Sequence, residues 1–401
     1  MNFQWTDEQL LWRKTVREFA EKYIKPNIRD IDTNKKIPFD IIKKMGKLGL
    51  LAPTASTKYG GANLNWTMTS IAAEELGRAD ISLAIPVLYL VEAAWGFILN
   101  RYGTDSMKEL YLPLITSGDA FCGIAVTEPE GGSDIVGSLK TTAEPSGNSW
   151  ILNGEKMFIS GITESQLLGG IHLTLAKTDS NAKHKGFSFF TVPLKENKNI
   201  TTTLLEDMGR MGISTGGFTM KDMELSEEHI IGEINKGFYY VMEGFSAARI
   251  LIGATCVGAS EAALEMGINH IKTRKAFGKT LGSFEGIQFP LAEHFSNIEM
   301  VKLFTYQAAW KLDKMYEKQL FSHHDIALAA AISKLRAPIY AFQVMNEVAD
   351  WLGATGYTKE YPIEMGIRGV RSYSIGAEGT MNIMRIIISR ELLGNDYLPY
   401  K

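Results

Sequence analysis

One acidic residue is better placed for chemistry than any other in this sequence. Glu378 stands in Ile375-Gly376-Ala377-Glu378-Gly379-Thr380-Met381-Asn382, among small residues and just ahead of the apolar run 383–393. Thr380 is a suitable N-cap, and Ile383, Met384, Ile386, Ile387, Ile388, Leu392 and Leu393 leave little room for a solvated face. The pattern therefore predicts a helix that belongs in an interior. A carboxylate at the mouth of such a helix loses water, which raises its pKa toward the range where it can take up protons. The helix N-terminus opposes this by up to ~1 kcal/mol at exposed sites. The same side chain could instead cap the helix by accepting from its free N–H groups, and this stretch alone favours the cap.

Three further stretches carry groups that hold ligands. Ala125-Val126-Thr127-Glu128-Pro129-Glu130-Gly131-Gly132-Ser133-Asp134 follows a predicted strand; its glycines let backbone approach a ligand, and Thr127 and Ser133 offer hydroxyls. Lys156-Met157-Phe158-Ile159-Ser160-Gly161 puts a ring and a hydroxyl on one side of a strand, a place for a flat ring to stack and be hydrogen-bonded. Arg274-Lys275-Ala276-Phe277-Gly278-Lys279, with Phe284-Glu285-Gly286-Ile287-Gln288 close behind, joins two long helices, and an Arg there can clamp a diphosphate bidentately. Taken singly, the first reads more simply as a turn and the second as a packed strand, and the third could be a solvated loop. There is no G-x-G-x-x-G after a strand, no phosphate-loop lysine and no G-x-S-x-G elbow, and the 7 histidines are scattered, so no metal site is expected.

The elements that must position these groups fall into three segments. Residues 1–118 read as helices: a capping box at Thr6 and Gln9 opens the first, Pro26 stops it, and further helical runs cover 39–48, 67–76 and 82–99. Residues 119–232 break into short strands at 121–126, 139–143, 150–152, 170–176, 187–192 and 201–205, with a hairpin turn at Ser146-Gly147-Asn148, the pattern of a small antiparallel barrel. Residues 233–401 return to helices at 238–274, 284–315, 326–352 and 380–393, which suggests a four-helix bundle.

Composition narrows the class. The formal charge of -3, from 42 basic and 45 acidic residues, gives no electrostatic reason to expect nucleic acid or a membrane surface as partner. The 2 cysteines, Cys122 and Cys256, sit in apolar surroundings and fit a reducing compartment. Residues 1–10 carry no signal pattern, and the apolar stretch 81–99 is interrupted by Pro86, Glu92 and Gly96, so a soluble, cytoplasmic protein is expected.

Taken together and in this order, the stretches resemble the acyl-CoA dehydrogenases over essentially the whole chain. The resemblance rests on Ala125-Val126-Thr127-Glu128-Pro129 with Gly132-Ser133-Asp134, Asn153-Gly154-Glu155-Lys156 with Ile159-Ser160, Arg274-Lys275-Ala276-Phe277-Gly278, Leu352-Gly353 with Gly356-Tyr357, and Glu378-Gly379-Thr380. It implies an α+β multidomain fold: a helical N-terminal domain, a middle antiparallel β-barrel and a C-terminal four-helix bundle, assembled as a homotetramer. It implies FAD, an acyl-CoA substrate and an electron-transfer flavoprotein as acceptor. Cofactor contacts fall on Val126, Thr127, Gly132, Ser133, Phe158, Ser160, Arg274, Phe277, Phe284, Glu285, Asp350, Gly353, Thr380 and Asn382. Substrate contacts fall on Ser133, Arg249, Ala377, Gly379 and Arg390, and the catalytic base on Glu378.

The chain departs from the family pattern at several of these positions. Phe158 stands for a Trp, Ser160 for a Thr, Glu285 for a Gln that donates to the cofactor, and Asp350 for a Gln. Arg368-Gly369-Val370-Arg371 stands for an Arg-Asp-x-Arg, so an ion-pair partner is missing at Gly369, and Ser246-Ala247-Ala248 lacks an acidic residue expected before Arg249. Ala377 replaces a bulky aromatic, which would widen the pocket for a branched, cyclic or aromatic acyl group. On the same fold, acyl-CoA oxidases, enoyl-CoA reductases and non-catalytic flavin-binding relatives are the alternatives to a dehydrogenase.

Overall fold

The computed structural model describes residues 4–397; the outer ends of the predicted segments 1–118 and 233–401 lie outside the described residues. The first helices form where the caps and spacing place them. α1 (Asp7–Tyr23) opens on the Thr6–Gln9 capping box, and α2 (Ile28–Asn34), α3 (Phe39–Lys47), α4 (Trp66–Ala79), α5 (Ala84–Tyr102) and α6 (Asp105–Thr116) follow. α4 and α5 are buried on almost every side. At their centre Trp95 meets Phe245 and Phe189 edge-on, with ring centroids 5.7 and 6.4 Å apart, which ties the helices to the rest of the molecule.

The middle of the chain is one curled sheet with short helices inserted. It runs β1 (Phe121–Ala125), α7 (Ile135–Ser138), β2 (Thr142–Ser146), β3 (Ser149–Ser160), α8 (Ile162–Leu168), β4 (Gly170–Lys177), β5 (Phe187–Val192), β6 (Ile200–Leu205) and β7 (Thr215–Ser226). The spatial order is β1-β4-β2-β3-β7-β6, with β5 also paired to β4. β4 pairs parallel with β1 and, at Thr142↔Lys177, with β2, so the sheet is mixed, where a purely antiparallel barrel was expected. Short strand patterns report strand existence but not direction, and β1 reaches β4 only after an excursion through β2, β3 and α8. The strand expected at 139–143 begins later, at Thr142, because Leu139 ends α7.

The last third holds α9 (Gly237–Thr273), a hairpin of β8 (Lys275–Ala276) and β9 (Lys279–Thr280), then α10 (Glu285–Lys318), α11 (His323–Leu352), α12 (Ile363–Ile375) and α13 (Met381–Leu393). α12 is a fifth helix beyond the four read from the sequence. α9 is long and apolar enough by composition to cross a membrane, but 89% of its most apolar window is buried, packed against α4, α5, α10 and α11. α13 corrects an expectation. Only Met381 and Met384 are buried, against Ala331 and Leu335 of α11, whereas Leu392 is 80% exposed. Ile383, Ile387 and Ile388 pack half-buried against that small cluster, and Leu393 beside Leu392 is also exposed.

Candidate active site

A cleft of about 680 Å³ opens where the three parts of the chain meet, within the roughly 300–1,000 Å³ usual for small-molecule sites. α5 contributes Val87, Leu90 and Val91, and the end of β1 with the loop after it contributes Val126, Thr127, Gly132 and Ser133. β3 brings Phe158 and Ser160, α9 brings Phe245 and Arg249, and α12 brings Tyr373. The turn 376–380 closes the cleft with Ala377, Glu378, Gly379 and Thr380.

Glu378 is not the cap of α13. Thr380 is, its hydroxyl accepting from the Ile383 N–H at 3.3 Å. The Glu378 residue keeps some surface toward the cleft, but its Oε2 is shut away from solvent and has no hydrogen-bond partner. Burial pushes this carboxyl above its ordinary pKa, opposed in order by the charges of Lys334, Arg249 and Arg210. A desolvated carboxylate with an idle oxygen is equipped to take a proton from a ligand. The backbone that presents it is unusual: φ is +53° at Ala377, +52° at Glu378 and +107° at Gly379. Only the last suits its residue type, so the turn depends on outside support.

That support comes from cations. Arg249, buried in α9, donates from Nε to the Glu378 carbonyl at 2.8 Å; burial pulls its pKa down to about 10 against the attraction of Glu378. Lys334, fully buried in α11, donates to the carbonyls of Gly376 and Gly379.

The opposite motif is equally built. Glu128 and Lys156 form a buried ion pair at 2.8 Å, and Glu128 also accepts from the Thr141 hydroxyl and N–H and from the Lys140 N–H. Burial alone would raise the Glu128 pKa, yet Lys156 and these donors hold it below its ordinary value. Phe158 does not alternate as a regular strand residue: the β3–β7 register shifts between Met157 and Ile159, and Phe158 sits at φ +62° with 62% of its surface exposed. The bulge stands the ring out on the cleft wall, as a ligand-stacking ring needs. Ser160 accepts from Arg210 Nη1 at 3.0 Å, which leaves its own O–H to donate.

Eleven of the residues singled out from the sequence therefore meet at one cleft: Val126, Thr127, Gly132, Ser133, Phe158, Ser160, Arg249, Ala377, Glu378, Gly379 and Thr380. Others do not. Arg274, Phe277 and Phe284 lie in the connection between α9 and α10 and Glu285 opens α10, all outside the cleft, with Phe277 97% exposed. Asp350 and Gly353 are exposed at the end of α11. Asn382 is exposed on α13 and accepts from Arg385, while Arg390 pairs with Glu391. The missing partner at Gly369 is replaced: Arg368 pairs with Asp32 at 2.7 Å and Glu364 at 2.8 Å.

Sequence reading missed Arg210, Lys334 and Tyr373. Lys334 carried a signal, a lone charge on the otherwise apolar face of Ala330, Ala331, Leu335 and Ala337. Arg210, in a loop, carried none.

Comparison with known proteins gives matches along the chain. Residues 6–119, 123–223 and 235–393 match the N-terminal, middle and C-terminal domain models of acyl-CoA dehydrogenase. A probable acyl-CoA dehydrogenase of Bacillus subtilis is 32% identical, covering 98% of this chain and 100% of its own. A 3-(aryl)acrylate reductase of Clostridium sporogenes is 33% identical, covering 97% of this chain and 99% of its own. Among solved structures, a glutaryl-coenzyme A dehydrogenase in complex with glutaryl-CoA superposes with a TM-score of 0.91 at 29% identity, covering 98% and 97% of the two chains.

Proposed function

The chain belongs to the acyl-CoA dehydrogenase family, and from that premise we propose that it is an FAD-dependent oxidoreductase that removes the α-proton and β-hydride of an acyl-CoA thioester to give a trans-2-enoyl-CoA. The observation that carries this reading is the buried, unpartnered Oε2 of Glu378 on the wall of the cleft that Phe158 also lines. Glu378 takes the α-proton. Arg249 and Lys334 hold its backbone while it does so. Leu90, Val91 and Phe245 exclude water, which strengthens every charge in the cleft.

The residues present fit the cofactor. The ring of Phe158, raised on its bulge, suits a flat heterocycle, and Val126, Thr127, Gly132, Ser133, Ser160 and Thr380 would hold the polar edge of FAD. When bound, FAD supplies the two-electron acceptor that no side chain can be. Arg274, Phe277, Phe284, Glu285, Asp350, Gly353 and Asn382 reach FAD only if a second copy brings them to it. The exposed Leu392 and Leu393 of α13, with Leu303 and Trp310 exposed on α10, support such a homotetramer.

Ala377 is the specificity residue in this reading. Its methyl leaves space beside the α-carbon, so branched or aromatic acyl thioesters are the substrate class. The test is an anaerobic panel of acyl-CoAs scored by enoyl-CoA formation with an electron-transfer flavoprotein or a dye as acceptor. Far better turnover of butyryl- or octanoyl-CoA than of branched or ring-bearing thioesters would overturn the specificity; hydrogen peroxide formed stoichiometrically under air would make the enzyme an oxidase. The arylacrylate reductase relative favours a second reading, reduction of an aryl-substituted enoyl thioester, scored by the same panel with reduced dye as donor.

A further inference from the structure

Lys334 is a buried cation with no counter-ion at hydrogen-bond distance, attached to the turn that carries the base. Its Nζ donates to Gly376 O at 3.1 Å and also to Gly379 O, so it spans the two ends of the left-handed segment 377–379. Arg249 holds the remaining carbonyl, that of Glu378, at 2.8 Å. L residues avoid this conformation because Cβ crowds the next carbonyl oxygen, so a free turn would relax out of it. Among the described residues no carboxylate pairs with Lys334 or Arg249 within 4.0 Å.

The charged and titratable groups facing Lys334 are Glu378, Arg249 and Cys256. Those facing Glu378 are Lys334, Arg249 and Arg210, with the buried Tyr373 hydroxyl also close enough to feel its charge. Of the three cations Lys334 opposes the desolvation of Glu378 most, and Arg210 is already engaged by Asp207. Burial brings the Lys334 pKa down to about 8, which leaves it charged at neutral pH.

We propose, on the premise that Glu378 is the base, that Lys334 is a positioning residue: its ammonium pins the strained turn through the Gly376 and Gly379 carbonyls and keeps the desolvated Glu378 carboxylate ionised between turnovers. Removing the charge lets the turn breathe and lets Glu378 hold its proton to higher pH. A neutral side chain that can still donate restores the first function and not the second. Arginine restores both to the extent that it fits.

The experiment uses three holoenzymes, Lys334→Met, Lys334→Gln and Lys334→Arg, with two readouts. Hydrogen exchange of the segment 376–380 in the resting protein needs no substrate; about tenfold faster exchange is expected in Lys334→Met, with Lys334→Gln between it and wild type. The acid limb of the kcat–pH profile is expected to move up by about one pH unit in Lys334→Met and Lys334→Gln, with KM nearly unchanged, and to return toward wild type in Lys334→Arg. A merely structural lysine would lower kcat equally at every pH. Unmoved exchange and an unmoved limb would overturn the proposal; if Lys334→Met fails to retain flavin, the other two variants decide it. Activity persisting in Glu378→Gln would instead sink the base reading, while the exchange result would still judge the pin.

Discussion

Lys156→Met breaks the ion pair that anchors the cofactor side of the cleft. Lys156 on β3 is fully buried and Glu128, in the loop after β1, is 4% exposed, so neither charge is relieved by water. Breaking such a pair from one side typically costs 3–5 kcal/mol, because the surviving charge stays buried. Glu128 would keep three donors, the Thr141 N–H and hydroxyl and the Lys140 N–H, which places Lys156→Met near the low end, at about 3 kcal/mol. Glu128→Gln can still offer Lys156 an amide oxygen but removes its counter-charge and sets an NH2 against the Lys140 N–H, and should cost at least as much. With both changes no charge is stranded, so the double variant should be more stable than the sum of the singles by at least ~1.5 kcal/mol. Urea unfolding followed by circular dichroism, at fixed protein and FAD concentrations, measures all three. Because Val126, Thr127 and Gly132 flank this pair, the single variants should also release FAD at lower urea. Single variants within about 0.5 kcal/mol of wild type, or strictly additive losses, would refute the reasoning.

His172 sets an acid limit. It is fully buried, with Nε2 3.2 Å from the Ser160 carbonyl, and burial brings its pKa to about 4. The unfolded chain takes a proton near pH 6.5 and the folded chain only near 4, so stability should fall by roughly 3 kcal/mol as pH drops through that window, and His172→Gln should flatten the slope in unfolding titrations. Gly379→Ala places a Cβ 3.2 Å from the Met384 methyl at φ +107° and should lower kcat at least ~tenfold with little change in KM, as measured by steady-state kinetics. Ala377→Tyr should cut kcat/KM for branched or aryl thioesters by about tenfold or more relative to butyryl-CoA, which competition assays with paired substrates would read directly.

The turn around Glu378 was legible because its signals are local: a carboxylate between small residues, a cap, then an apolar helix. The cations around it were less so: Arg249 came only with the family resemblance, and Lys334 and Arg210, arriving from α11 and a loop, were not read at all, because only the fold brings them together. β7 was missed for a physical reason. Its start, Thr215-Gly216-Gly217, lacks side chains where neighbouring strands press closest; a Cβ on Gly216 would lie 2.0 Å from the Thr203 carbonyl oxygen. Phe158 and Ser160 were assigned to the right wall on the assumption of regular alternation, which the bulge breaks. α13 misled in the other direction: its composition describes an interior helix, but within the described residues only one side of it packs, against α11, and Leu392 and Leu393 stay exposed.

The most direct test of Glu378 as the base is anaerobic titration of the flavin-loaded protein with acyl-CoA thioesters, for wild type and Glu378→Gln side by side. Glu378→Gln is expected to bind the thioester, seen as a perturbed flavin spectrum, while its absorbance bleaches at least ~1,000-fold more slowly than wild type. Bleaching at a rate within about tenfold of wild type would contradict the assignment.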